Sequence, residues 1–313
     1  MGLRRPAVAA FICVSLAACA SAPDGRFTSL STVPSTTGAP LTDTSAPASG
    51  GPSTTGAPRP PLTTAVAGCA AGSVKGPLTV LAASSMVNVL TELRDSWLAS
   101  RPCVSSLDIS YGSSAMLAAQ ITNGAPADVF ISASDATMAT VRNAGLASIA
   151  PRVFARNKAI ILLNPDSAFA GVVKVLPDLL DSTNPGIKVG LCVATAPCGS
   201  LANTVLANGR TVYSRPDLTR NSVADTESPS VEDLVTKVEM GELDAGIVYV
   251  SDCSWAQPRG LAACAELPDA VNSSNNYLVA GLNTRADTAA FVDWVMSGAF
   301  GAVARTKYGF LSP

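Results

Sequence analysis

From Pro77 onward the chain alternates between short apolar runs and stretches whose apolar residues recur every three or four positions. "LTVLAA" opens the pattern, followed by Met86, Leu90, Leu93 and Trp97, whose steps of four, three and four make one helical stripe. "LDISY" reads as a strand and Ser114–Thr122 as a helix. "DVFIS" is a strand, and Ser134–Asn143 a helix with Met138 and Val141 inward. "AIILL" and "IKVGLC" follow, each near-continuously apolar, as strands covered on both faces are. Val231, Leu234, Val235 and Val238 mark another helix, "AGIVYV" another strand, and Phe291 and Val295 sit on a late helix. Regular alternation of this kind predicts an α/β fold with mainly parallel sheets. The roughly 237 residues from Pro77 to the end are many for one sheet, so two lobes are expected.

The residues before Pro77 cannot belong to that core. From Ala20 to about Ala67 they are mostly Ser, Thr, Pro, Gly and Ala, and "PSTTGAP" occurs at Pro34–Pro40 and again at Pro52–Pro58. Such a stretch cannot bury enough apolar surface to offset its ordering entropy. It reads as a linker with a reach on the order of 40 Å. Ahead of it, Arg4 and Arg5 precede the apolar "PAVAAFICVSLAA", which is too short to be a membrane span. Its end, Leu16-Ala17-Ala18-Cys19, resembles a bacterial lipobox. That implies cleavage before Cys19 and lipidation of its sulfur, with the protein held by acyl chains on the outer face of the cell membrane. A plain secretory leader is the competing reading.

Composition narrows the chemistry. The chain has no histidine, which removes His-dependent nucleophilic mechanisms and His-containing zinc sites. Net charge is −2, so no nucleic-acid partner is expected. With Cys13 and Cys19 set aside, Cys69, Cys103, Cys192, Cys198, Cys253 and Cys264 remain, an even number in an exported chain. They allow 15 connectivities. Cys192 with Cys198 and Cys253 with Cys264 are close in sequence, which leaves Cys69 with Cys103; free buried thiols are the alternative.

In open α/β sheets ligands bind beyond the carboxyl ends of the strands. There this chain places Ser84-Ser85, Gly112-Ser113-Ser114, the loop "VATAPCGS", the helix opening "ESPSVED" and Tyr249, with no Lys or Arg at any of them. The serines suit helix capping. Together with free helix N–H groups they also suit an oxyanion held without a counter-charge. Asp128 is expected to be structural, since a carboxylate beside a dianion repels it.

Several stretches, in this order and spacing, resemble the molybdate-binding proteins, the extracytoplasmic receptors of molybdate ABC transporters. They are "VLAASSMVNVL", "YGSSAMLAAQITNGAPADVFISAS", "IKVGLCVATAPCG", "AGIVYVSD" and the terminal "KYGF". The resemblance implies ligand contacts from the hydroxyls of Ser85, Ser114 and Tyr249 and from backbone N–H groups at Cys198 and Val231, with Ser230 and Glu232 as neighbouring alternatives to Val231. The loop holding Cys198 is one residue longer than the family pattern and carries two cysteines. The fold implied is a two-lobed type II periplasmic-binding-protein architecture, each lobe a mainly parallel sheet flanked by helices. The expected boundaries are a leader at 1–18, a tethered linker at 19–76, lobe one at 77–156 plus 254–313, and lobe two at 157–253. The expected function is binding of molybdate, and of tungstate with it, in the interlobe cleft and delivery to a membrane permease. A monomer is expected, with no enzyme activity, no cofactor and no direct cation ligands. The alternatives are a sulfate or phosphate receptor, an enzyme acting on phosphoesters, and a surface adhesin. Absence of His, of G-x-S-x-G and of a P-loop counts against the enzyme.

Overall fold

The computed structural model describes residues 76–313. The leader, Cys19, Cys69 and the linker up to residue 75 lie outside the described residues. In chain order the elements are β1 (Leu78–Ala83), α1 (Val87–Ala99), β2 (Leu107–Gly112), α2 (Ser114–Thr122), β3 (Val129–Ser132) and α3 (Asp135–Asn143). Next come β4 (Ile149–Leu163), β5 (Val189–Cys192), α4 (Pro197–Val212), α5 (Arg220–Val223), β6 (Thr226–Ser228) and α6 (Val231–Glu239). The chain ends with β7 (Ala245–Tyr249), α7 (Val250–Ala256), β8 (Ala263–Ala265), β9 (Ser274–Gly281), α8 (Ala286–Val295) and α9 (Gly298–Tyr308). None of these helices is long and apolar enough to cross a membrane.

The strands lie in the order β2-β1-β3-β9-β4-β7-β5-β6, with β8 also paired to β4. β1 pairs in parallel with β2 and β3, and β5 pairs in parallel with β6 and β7. Every antiparallel pairing among the described strands involves β4 or β9. Both differ from the sequence expectation: "AIILL" is only the end of a 15-residue strand whose first part contains Pro, Arg, Asn and Lys, and β9 has no counterpart among the expected strands. Polar residues are tolerated there because residues 149–158 alternate between exposed and covered positions, whereas Ile160–Leu163 are buried throughout.

Two cores form on either side of these strands. One gathers Leu78, Val80, Met86, Trp97, Phe154, Tyr277, Phe291 and Phe300, with a smaller cluster under α2 and α3. The other runs from Ala159 to Val271. β4 passes between them from Ala155 to Ala159. The chain returns later than the expected Cys253: that residue, Ala256, Ala262, Ala265 and Val271 all pack in the second core. The cause is β8, which pairs with β4 in that lobe and is tied to α7 by the Cys253–Cys264 disulfide. The return crossing is therefore the start of β9.

The helical stripe beginning at Met86 is core. Trp97 is 1% exposed and meets Phe291 edge-on, ring centroids 5.2 Å apart. Its indole N–H has no hydrogen-bond partner among the described atoms. Trp97→Ala is expected to cost about 3–5 kcal/mol of stability through the cavity it leaves. Trp97→Phe is expected to cost much less, since it keeps an aromatic ring and removes the unsatisfied donor. Urea titration of both variants checks the order.

Candidate functional site

The strand ends and helix openings converge on one small pocket that opens to solvent. From one lobe come Ala83, Ser84 and Ser85 after β1, Gly112 to Ser114 between β2 and α2, and Ala133 after β3. From the other come Pro197 and Cys198 at the start of α4, Ser230 and Val231 at the start of α6, and Tyr249 at the end of β7. All five expected contact positions, Ser85, Ser114, Cys198, Val231 and Tyr249, line it. No Lys, Arg, Asp or Glu does.

Helix capping does not account for most of these serines. Ser113 occupies the N-cap position of α2, yet its side chain makes no capping bond. Ala196 holds that position for α4, and Ala83 for the turn Ser84–Met86 that leads into α1, again without a side-chain cap. α6 differs: the Ser230 hydroxyl accepts from the Asp233 N–H at 3.3 Å. First-turn N–H groups have no partner within their own helix. Uncapped, they present donors and the positive end of the helix dipole to the pocket.

The pocket hydroxyls are held from behind. The Ala133 N–H donates to Ser114 Oγ at 3.0 Å. Ser85 Oγ lies 2.7 Å from the Tyr277 hydroxyl. Asn275 Nδ2 donates to the Tyr249 hydroxyl at 3.1 Å and to the Pro197 carbonyl at 3.1 Å. Burial pushes the Tyr249 and Tyr277 phenols above their ordinary range, so both stay protonated. Ala133, Asn275 and Tyr277 were missed by sequence reasoning. The available signal was "SNNYLVAG", a polar start running into an apolar strand whose alternation sets Asn275 and Tyr277 on one face.

The loop before α4 is tightly constrained. Cys192 and Cys198 are bridged, with Cα atoms 5.7 Å apart, and both are buried. A Cβ on Gly199 would collide with the Val193 carbonyl oxygen, so this position requires glycine. Cys103 is also disulfide-bonded; its expected partner, Cys69, lies outside the described residues.

Asp128 lies away from the pocket. Its carboxylate accepts from the Thr79 N–H at 2.8 Å and from Asn283 Nδ2 at 2.7 Å, and it pairs with Arg285 at 3.1 Å. Among the described residues no cluster of Cys, Asp and Glu could hold a metal ion.

Asp252 sits behind the site, accepting from the Tyr249 N–H at 2.9 Å. Burial raises its carboxyl to about 7, and Glu239 and Glu232 push the same way, while the bond from Tyr249 opposes them. Unfolded, the group ionises near its ordinary 3.8. Folding therefore takes up a proton between those values. The stability it confers is complete below the lower value and is lost as pH rises through the upper one. Asp252→Asn keeps an acceptor without the charge. Relative to wild type, its melting temperature is expected to rise progressively from pH 5 to pH 8. A constant difference across that range would contradict the assignment.

The family of bacterial extracellular solute-binding proteins matches residues 78–311. The molybdate-binding protein ModA of Mycobacterium tuberculosis (strain ATCC 25618 / H37Rv) is 33% identical over 247 residues, covering 78% of this chain and 88% of the relative. The Azotobacter vinelandii periplasmic molybdate-binding protein superposes with a TM-score of 0.63 at 21% identity, covering 75% of this chain and 99% of that one. The sulfate-binding protein SubI from M. tuberculosis H37Rv gives 0.62 at 17% identity, covering 75% and 86%. These likenesses show the two-lobed binding-protein fold, and the family is one of transport receptors rather than enzymes. The chain belongs to the bacterial extracellular solute-binding proteins, in the family of the molybdate-binding proteins.

Proposed function

We propose that this protein binds molybdate, and tungstate with it, in the pocket between its lobes and delivers the anion to the membrane permease of an ABC transporter. The observation that carries this reading is the pocket itself. Hydroxyls of Ser85, Ser114 and Tyr249 and the helix openings at Cys198 and Val231 converge without any lysine or arginine. Donors alone match a fully ionised tetrahedral oxyanion, which offers acceptors in every direction and brings no proton. The anion is bound whole, so no cofactor and no direct cation ligand is invoked. Identity to the ModA relative supports molybdate over sulfate, because the fold alone is shared almost equally with a sulfate receptor. Hydrogen phosphate fits worse: its proton would find no acceptor, and the Asp128 carboxylate is engaged elsewhere.

The same reading places the protein outside the cytoplasm as a monomer. Lipid at Cys19 would tether it to the cell membrane, and the Ser/Thr/Pro-rich segment would give the lobes their reach.

Thermal unfolding against molybdate, tungstate, sulfate and phosphate tests the ligand, since specific binding raises the melting temperature with ligand concentration. Molybdate and tungstate are expected to give the largest shifts; no shift with any of the four rejects the reading. Ser85→Ala, Ser114→Ala and Tyr249→Phe are each expected to weaken molybdate binding by about 1.5–3 kcal/mol, the range for a hydrogen bond to a charged group. Calorimetric affinities equal to wild type in all three would remove these hydroxyls from the site.

The Cys192–Cys198 bridge generates a separate expectation. A ring this small removes little unfolded-state entropy, about 2 kcal/mol. An unbridged loop, however, must be ordered on binding at roughly 1–2 kcal/mol per residue. The Cys192→Ser/Cys198→Ser variant is therefore expected to lose more binding than folding free energy, measured by calorimetry and urea titration on the same protein. Undiminished affinity would make the bridge a simple staple.

A further inference from the structure

The direction of a hydroxyl proton decides whether that hydroxyl offers the pocket a donor or an acceptor, and at Tyr249 the surrounding groups settle it. Asn275 Nδ2 lies 3.1 Å from the Pro197 carbonyl oxygen. A carbonyl can only accept, so the group facing it must be the amide NH₂, and the side chain cannot be turned over. The same nitrogen lies 3.1 Å from the Tyr249 oxygen. An amide NH₂ only donates, so the phenol oxygen accepts there and its single proton must leave in another direction.

That proton has two destinations. One is the pocket, which Tyr249 lines. The other is the neighbouring Tyr277 phenol, whose ring meets Tyr249 edge-on with centroids 5.9 Å apart and whose oxygen lies 2.7 Å from Ser85 Oγ. An anion is a stronger acceptor than a neutral phenol, so with the pocket filled the Tyr249 proton faces the anion. Ser114 is directed in the same way, because its oxygen accepts from the Ala133 N–H.

We propose that Asn275 is a positioning residue for the oxyanion: it makes Tyr249 an obligate donor, so that a proton-free dianion is favoured at a site Asn275 does not itself line. The proposal rests on the oxyanion reading above. Its place in the fold suits the task. Asn275 lies at the start of β9, opposite Asn157 of β4, where the chain crosses between the lobes. It ties Tyr249 and the opening of α4, two walls of the pocket, to that crossing.

A double-mutant cycle with Tyr249→Phe separates this role from a merely structural one. Calorimetry with sodium molybdate is run on the full chain for wild type, Asn275→Leu, Tyr249→Phe and the double variant, with melting temperatures recorded for each. Asn275→Leu is expected to weaken binding about 10- to 100-fold in the wild-type background. In the Tyr249→Phe background, where no phenol proton remains to direct, the same change is expected to cost under about 3-fold. Equal losses in both backgrounds overturn the proposal, as does wild-type affinity in Asn275→Leu. Should the leucine variant fail to fold, Asn275→Ala repeats the cycle with a smaller side chain. Wild-type protein that takes up no molybdate fails the oxyanion reading and this proposal together. Wild-type protein that binds while the cycle is additive fails this proposal alone.

Discussion

β4 and β9 run antiparallel, Arg152 opposite Val279 through Lys158 opposite Ser274; β4 passes from one hydrophobic core to the other, and β9 enters the first after the chain leaves the second at Val271. Everything else in the fold hangs from this pair. On one side they continue into the parallel strands β1, β2 and β3, on the other into β5, β6 and β7. At the crossing the sequence turns polar, with Asn157 fully buried and Asn275 opposite it. A buried carboxamide needs partners: Asn157 donates to Ser251 at 2.8 Å while its Oδ1 has no partner among the described atoms, and Asn275 donates to Tyr249 and Pro197. Two residues further along the same face of β9, Tyr277 reaches Ser85 in the other lobe. One strand thus supports a hydroxyl on each side of the pocket.

The pocket depends on a second constraint, the absence of compensating charge. An ionised group taken out of water must be paired or richly hydrogen-bonded. With no basic side chain on its walls, an anion here would rely on fixed dipoles. Fixed dipoles act well only where they are held in place. The bridge from Cys192 to Cys198 and the glycine-only contact of Gly199 with Val193 hold the opening of α4. Pairing of β1 with β2 and β3 holds the openings after β1 and β2. Asp252 sits behind the same wall: burial raises its carboxyl to about 7, which disfavours a negative charge there.

Much of this was legible in the order of residues. The apolar runs at Leu78, Val129 and Ala245 and the stripes through Met86–Trp97 and Val231–Val238 are strands and helices where the periodicity places them. Ser85, Ser114, Cys198, Val231 and Tyr249 follow strand ends, and strand ends on one edge of a parallel sheet converge. The first half of β4 and the polar start of β9 were hard to read as strand, because Pro, Arg, Asn and Lys in β4 and Ser and Asn in β9 occupy positions that face solvent or the polar crossing. The later return at β9 was hidden for a related reason: three short residues of β8 carry no period, yet their pairing with β4 keeps α7 in the second core.

By itself the sequence determined the α/β class, the charge-free character of the strand ends and the exclusion of histidine chemistry, because these follow from local periodicity and composition. Only the tertiary structure decided which serines cap a helix and which stand free, since Ser113 and Ser230 are alike in sequence and differ only in what their hydroxyls meet. Only the tertiary structure brought Asn275 to Tyr249 and Tyr277 to Ser85, pairs separated by 26 and 192 residues. A hydrogen bond is directional and reaches about 3 Å. Its partners are set by how β9 pairs with β4 where the chain returns to the first core, a long-range outcome of packing that no window of neighbouring residues contains.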